Sequence, residues 1–254
     1  MGMFLRYFTY LLKTIKKQHI QSQFVSNIYT KIIKERNHYY IFDNIESLRS
    51  KMLLSKKKII VSDFGTGKSA SRSISSIAKT SLKSAKYGQL LFRLVNHLQP
   101  KNLLELGTSL GITASYLALA NSSSKLITIE GCPETAKIAK SNFNLLSATN
   151  ISLVIGPFDN MLHEELNNLD YLDFVFFDGN HNLKPTLDYF EQCLNKVHEK
   201  SVFVFDDIHW SKNMEMAWNT IKTHPQITIS IDLFEMGLVF FNKEHKKQDL
   251  VLLY

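Results

Sequence analysis

Cysteine is almost missing from this 254-residue chain: Cys132 and Cys193 are the only two, far apart and without CxxC spacing. They support neither a disulfide framework nor a zinc site, and a reducing, cytoplasmic compartment is expected. Long apolar runs are missing as well. The opening MGMFLRYFTYLLKTIKK places Phe4, Leu5, Phe8, Leu11, Leu12 and Ile15 at helical spacing, yet Arg6 and Lys13 break it short of the ~18 apolar residues a membrane span needs. Arg6 also falls inside the would-be apolar core of a signal peptide, and no small-residue cleavage site follows. Position 6 lacks the Ser or Thr that myristoylation of Gly2 would require. No internal repeat is evident.

Acidic residues are scarce in the first third. Residues 1–86 hold 17 Lys/Arg against 4 Asp/Glu, whereas residues 87–254 hold 13 against 19. Such asymmetry marks either a solvated basic face or contact with nucleic acid or an anionic membrane. Zinc-finger, RNP-like and basic-zipper patterns are absent from this region, and aromatics are not interleaved with its lysines. Nucleic acid is therefore not the expected partner, and a macromolecule-modifying or nucleic-acid-binding protein stands as the alternative reading. The amphipathic N-terminal helix is expected to pack on its own domain or on a sister subunit. The other placement is a peripheral, membrane-associated one on anionic lipid.

What is present reads as a folded domain: 44% of residues are hydrophobic and 21% charged. From Lys101 onward, β-rich apolar runs alternate with helical stretches, the pattern of an α/β domain with a largely parallel sheet. Seven strands are predicted in NLLEL, KLITIE, ISLVI, LDFVFFD, SVFVFDD, ITISIDLF and GLVFFN. The last two are separated by little more than Glu235 to Gly237, too few residues for a crossover helix, so they should pair as an antiparallel hairpin. Upstream, Gln23 to Glu35 and Ile45 to Leu54 are predicted helical, and Ser69 to Ser84 is read as a loop or lid. The expected organisation is a basic helical extension with a lid over 1–83, followed by the α/β domain over 84–254.

The segment LLELGTSLGITASYLA sets an apolar strand before a glycine-containing turn and a helix, the place where open α/β sheets bind ligands. Gly107 allows close backbone approach, and the helix starting near Gly111 offers N–H groups to a carboxylate. A dinucleotide fingerprint centred on Gly107 would need glycines where Glu105 and Leu110 stand. Glu105 would repel a pyrophosphate but suits a ligand carrying ammonium or sulfonium charge. Glu130, at the end of the next strand, is placed to accept hydrogen bonds from ribose hydroxyls.

ELGTSLG resembles motif I of the class I S-adenosylmethionine-dependent methyltransferases, and TIEGCP resembles their second-strand acidic motif. AKYGQLL is similar to the entry segment of the catechol and caffeoyl-CoA type O-methyltransferases, and the likeness extends from about Ser84 to Asn242. It implies a Rossmann-like fold with helices on both faces of the sheet and an S-adenosylmethionine site formed by Glu105, Gly107, Thr108, Ser109, Gly111 and Glu130. The resemblance also implies that Gly156, Pro157, Phe158 and Asp159 border the adenine, that Asp178 contacts the cofactor, and that the acceptor is a small hydroxylated molecule. Relatives are often homodimers.

DFVFFDGNH and VFVFDDIHW place Asp178 and the Asp206–Asp207 pair at the carboxyl ends of neighbouring strands. Converging carboxylates repel unless a cation, raised pKa values or hydrogen bonds compensate, and oxygen ligands suit Mg²⁺, Ca²⁺ or Mn²⁺. The plainer alternative is that these acids cap helices or contact cofactor and substrate. In the metal-dependent relatives the pattern is similar to Asp178 followed by an Asp-Asn pair, here Asp206 and Asp207. His181 stands where those relatives carry a catalytic lysine, which implies a general base working beside Asp178. His209 and Trp210 are candidates for the acceptor-pocket wall. SDFGTGKS nearly matches a P-loop, but Ser62 occupies the first glycine position and no apolar-periodic helix follows. Its glycines are better read as a flexible lid, with Lys68 and Arg72 meeting an acidic substrate.

Overall fold

The computed structural model describes residues 2–15, 20–63 and 68–254, without the side chains of Asp63 and Lys68. The chain divides into two compact units, Met1–Glu35 with Leu166–Tyr254, and Arg36–Glu165. Among the described residues, no helix is long and apolar enough to cross a membrane.

The first unit opens with α1 (Met3–Lys13) and α2 (Gln23–Ile28), the latter running on into a π-helical turn at Tyr29–Ile33. Ser22 caps α2 by accepting a hydrogen bond from the Val25 N–H. Helix α1 packs on its own unit, one of the two placements expected, but with the opposite face to the one its apolar spacing suggests. Arg6 and Tyr10 are buried while Phe4, Leu5, Phe8, Leu11 and Leu12 are exposed. The Arg6 guanidinium lies 3.2 Å from Glu215 and donates to the carbonyls of His209 and Trp210. The Tyr10 hydroxyl donates to the Leu252 carbonyl at 2.5 Å, and both Tyr7 and Tyr10 rest against the Phe234 ring. A buried guanidinium is tolerable only when paired in this way.

The second unit holds α3 (Tyr40–Leu54), β1 (Lys58–Asp63), β2 (Lys68–Ser73), α4 (Ile74–Ser81), α5 (Ala85–Leu98), β3 (Asn102–Leu106) and α6 (Ile112–Leu119). It continues with β4 (Lys125–Glu130), α7 (Pro133–Leu145), β5 (Ile151–Ile155) and most of α8 (Phe158–Asn167). The stretch read as a loop or lid from Ser69 to Ser84 is instead the second strand of an antiparallel β1–β2 hairpin and a helix. Serine content alone suggested a loop. The Ser73 hydroxyl in fact caps α4 at the Ser76 N–H, and Ile74, Ile77 and Ala78 bury one helical face. The glycines of SDFGTGKS lie outside the described residues. Arg72 donates to the Thr80 hydroxyl at 2.7 Å. Strands β3, β4 and β5 are parallel, with Glu105 beside Thr128 and Glu130 beside Ile155.

The first unit resumes with β6 (Phe174–Phe177), α9 (Leu183–Leu194), β7 (Val202–Asp206), α10 (Lys212–Thr223), β8 (Ile229–Asp232), β9 (Met236–Phe240) and β10 (Gln248–Val251). β6 and β7 are parallel, and β8 and β9 form the expected antiparallel pair. β10, parallel to β8, is a strand beyond those of the sequence reading. Its four residues, QDLV, lie among charged neighbours and carry little apolar signal. The Rossmann-like α/β class stands as expected: a mostly parallel sheet with an antiparallel element, helices around it and a helical N-terminus.

Close helix packing in the second unit depends on Gly88 of α5, where a Cβ would come within 2.6 Å of the buried Tyr116 ring of α6. The ring cannot swing away freely, because its hydroxyl donates to Glu46 at 2.7 Å. Gly88→Ala is expected to destabilise the fold by about 1–3 kcal/mol through overpacking, read as a lowered urea midpoint.

Candidate active site

The strongest sequence motif folds as a preformed turn between β3 and α6. Gly107 and Gly111 have φ of 106° and 82°, and Ser109 is also left-handed at 49°. At Gly111 a side chain would both strain the backbone and strike Phe143, whose ring would lie 2.6 Å from an added Cβ. The turn's own N–H groups are already engaged. Gly107 and Thr108 donate to the Ile129 carbonyl, Gly111 donates to the Thr108 carbonyl, and Ser109 donates to Glu130 Oε2 at 2.7 Å. These four donors therefore form no cradle for a pyrophosphate, consistent with the missing dinucleotide glycines.

Glu130 closes the turn from the neighbouring strand. Its other oxygen, Oε1, accepts from the Cys132 N–H at 2.9 Å, so one carboxylate ties the ends of β3 and β4 together. Burial raises its pKa, partly opposed by the hydrogen bonds from Cys132 and Ser109.

Glu105 lies deeper and is fully buried. Thr128 donates to its Oε2 at 2.5 Å, and the Thr108 and Thr128 hydroxyls are 2.6 Å apart. With the single Thr128 proton directed at Glu105, Thr108 is the donor to Thr128. Glu105 Oε1 is buried and has no hydrogen-bond partner among the described residues. Desolvation dominates this carboxyl and pushes its pKa up to about 8, against the opposing Thr128 bond. Such a group accommodates a cation, and an orphaned buried oxygen is the feature that a cationic ligand would satisfy.

Two supports of this turn carried little sequence signal. Thr128 sits two residues before Glu130, on the same face of β4, and a polar residue inside an apolar strand was the available clue. Asn142 of α7 is buried and donates to the Leu110 carbonyl at 2.8 Å, a contact made 32 positions away in sequence. Further along, Gly156 follows β5 and donates its N–H to the Glu130 carbonyl, while Phe158 and the exposed Asp159 begin α8.

In the first unit, Asp178 follows β6 with its Oδ1 3.6 Å from His181 Nε2. Asp206 is buried at the end of β7, and Asp207 leaves the strand at φ 54°. Among the described residues, no three His, Cys, Asp or Glu side chains gather as a metal ion would require. The expected metal set of Asp178, Asp206 and Asp207 does not fit this arrangement.

His209 does not act as a free pocket wall. Its Nε2 lies 2.7 Å from Asp232 and its Nδ1 3.4 Å from Glu215, and the ring stacks on Phe234. Burial alone would lower its pKa, but the two carboxylates outweigh it and raise the value. His209 belongs with Arg6 in the cluster that seats α1.

Residues 104–208 match the family model described as a methyltransferase domain. No curated protein matches the chain in sequence. Among solved structures, an O-methyltransferase from Bacillus cereus in complex with S-adenosylhomocysteine is 16% identical, with TM-score 0.57, covering 91% of this chain and 99% of its own. An S-adenosylhomocysteine-bound methyltransferase from Podospora anserina is 12% identical, with TM-score 0.61 and coverages of 87% and 97%. The Streptomyces achromogenes O-methyltransferase involved in tomaymycin synthesis, solved with S-adenosylmethionine, is 17% identical, with TM-score 0.57 and coverages of 90% and 100%. Residues 104–208 thus match a methyltransferase-domain model, and the chain shares the Rossmann-like fold of these solved structures.

A folded-state pKa above the unfolded one means that Glu105 holds its proton more tightly in the fold. Its ionisation weakens the fold as pH rises from the ordinary carboxylate range to about 8, and the penalty is constant above that. Glu105→Gln removes this penalty. Its urea midpoint should move above the parent's by a margin that widens from about pH 5 to about pH 8. A constant margin would show that Glu105 titrates normally.

Proposed function

We propose that the chain is an S-adenosylmethionine-dependent O-methyltransferase acting on a small hydroxylated acceptor. The observation that carries this reading is the fully buried Glu105, with one carboxylate oxygen unpartnered among the described residues, beneath a turn whose Gly107, Thr108, Ser109 and Gly111 donors are internally occupied. Such a setting disfavours phosphate and favours a cationic, amino-acid-bearing nucleoside.

In this proposal Glu105, Gly107, Thr108, Ser109 and Gly111 hold the amino-acid end. Glu130, whose oxygens keep lone pairs beyond their two backbone bonds, accepts from the ribose hydroxyls. Gly156, Phe158 and Asp159 border the adenine, and Asp178 contacts the cofactor. When bound, S-adenosylmethionine would supply a methyl group activated by its sulfonium. His181 accepts the acceptor's hydroxyl proton, and Asp178, 3.6 Å away, orients the ring and stabilises the imidazolium. Because the carboxylate set does not fit a cation, no step runs through one. The 84–254 segment carries these residues, with 1–83 as its extension.

Calorimetry with S-adenosylhomocysteine tests the cofactor reading. The parent should bind, and Glu130→Ala, which also frees the turn, should lower affinity at least about 10-fold. Failure of the parent to bind would end the proposal. With an acceptor found by labelled-methyl screening, His181→Ala should keep product affinity while turnover falls roughly 10²-fold. Unchanged turnover would exclude the base role.

A further inference from the structure

Helix α1 presents its two faces in reverse of the usual order. Arg6, Tyr7 and Tyr10 contact the first unit, whereas Phe4 is 84% and Leu12 73% exposed, with Leu5, Phe8 and Leu11 between them. Residues 4, 8, 11 and 12 form one helical stripe, so the exposed side chains are contiguous. Scattered exposed apolar residues are ordinary, but a contiguous stripe of five on one helix marks an interaction surface.

Charge selects the occupant. No Asp or Glu occurs among the first 34 residues, which contain Arg6, Lys13, Lys16, Lys17, Lys31 and Lys34. Arg6 is committed to Glu215, so the remaining positive charge of this acid-free segment is carried by its lysines. Two copies meeting through this stripe would bring two acid-free basic segments together. A sheet of anionic headgroups over an apolar interior complements both features. We propose that the outward face of α1 docks on the surface of an anionic lipid bilayer without crossing it.

The test is cosedimentation of the full chain with phosphatidylcholine vesicles, plain or containing about 30% phosphatidylglycerol. Binding to the anionic vesicles, weakened by added salt and reduced at least about 10-fold in Phe4→Ser/Leu12→Ser, is the expected result. Both substitutions are at exposed positions, and an unchanged circular-dichroism melt verifies the variant's fold. Three results would overturn the proposal: a parent that stays in the supernatant, a double variant that sediments equally well, or a parent dimer split by the substitutions with no lipid binding.

Discussion

The parallel register that sets Glu105 beside Thr128 is the constraint on which the β3–α6 end of this fold depends. With β3 and β4 aligned there, the Thr128 hydroxyl reaches the buried Glu105 carboxyl, and Glu130 arrives two residues later on the same face. A shift of one residue would turn both side chains to the opposite face and bury neither correctly. The register also lets the Ile129 carbonyl receive two N–H groups of the turn. The turn is shaped before any ligand arrives, and preorganisation of this kind spares a binding site the cost of ordering it.

The buried charges in the two units follow different logic. Glu105 keeps one oxygen unsatisfied and responds by holding its proton, the usual outcome for a carboxyl removed from water without a full set of partners. Arg6 brings a guanidinium out of water, so its burial demands partners, and Glu215 and the carbonyls of His209 and Trp210 provide them. That demand orients α1. Once Arg6 and Tyr10 face inward, helical geometry sends Phe4, Phe8 and Leu12 outward regardless of their hydrophobicity.

Much of the fold was legible because strands such as KLITIE and DFVFF are short apolar runs with clear boundaries, and the helices between them are long enough for crossovers. The β3–α6 turn was legible for a similar reason: Gly107 and Gly111 act through local backbone geometry, at φ of 106° and 82°. Thr128 and Asn142 were not, since each matters only through a partner distant in sequence. β2 and α4 were hidden by serines whose hydroxyls, like Ser73, serve as caps rather than loop solvent contacts. β10 was hidden by its brevity.

By itself the sequence determined the alternation of strands and helices, the β3–α6 turn with its acidic neighbour, and the charge contrast between the first third and the rest, because these depend on residue type and near spacing. Only the tertiary structure decided which face of α1 is buried, that Asp178, Asp206 and Asp207 do not assemble a metal site, and that Glu105 retains an unpartnered oxygen. Each of those outcomes depends on where side chains far apart in sequence meet and on how much water is excluded there. Neither quantity is a property of a residue or its neighbours along the chain.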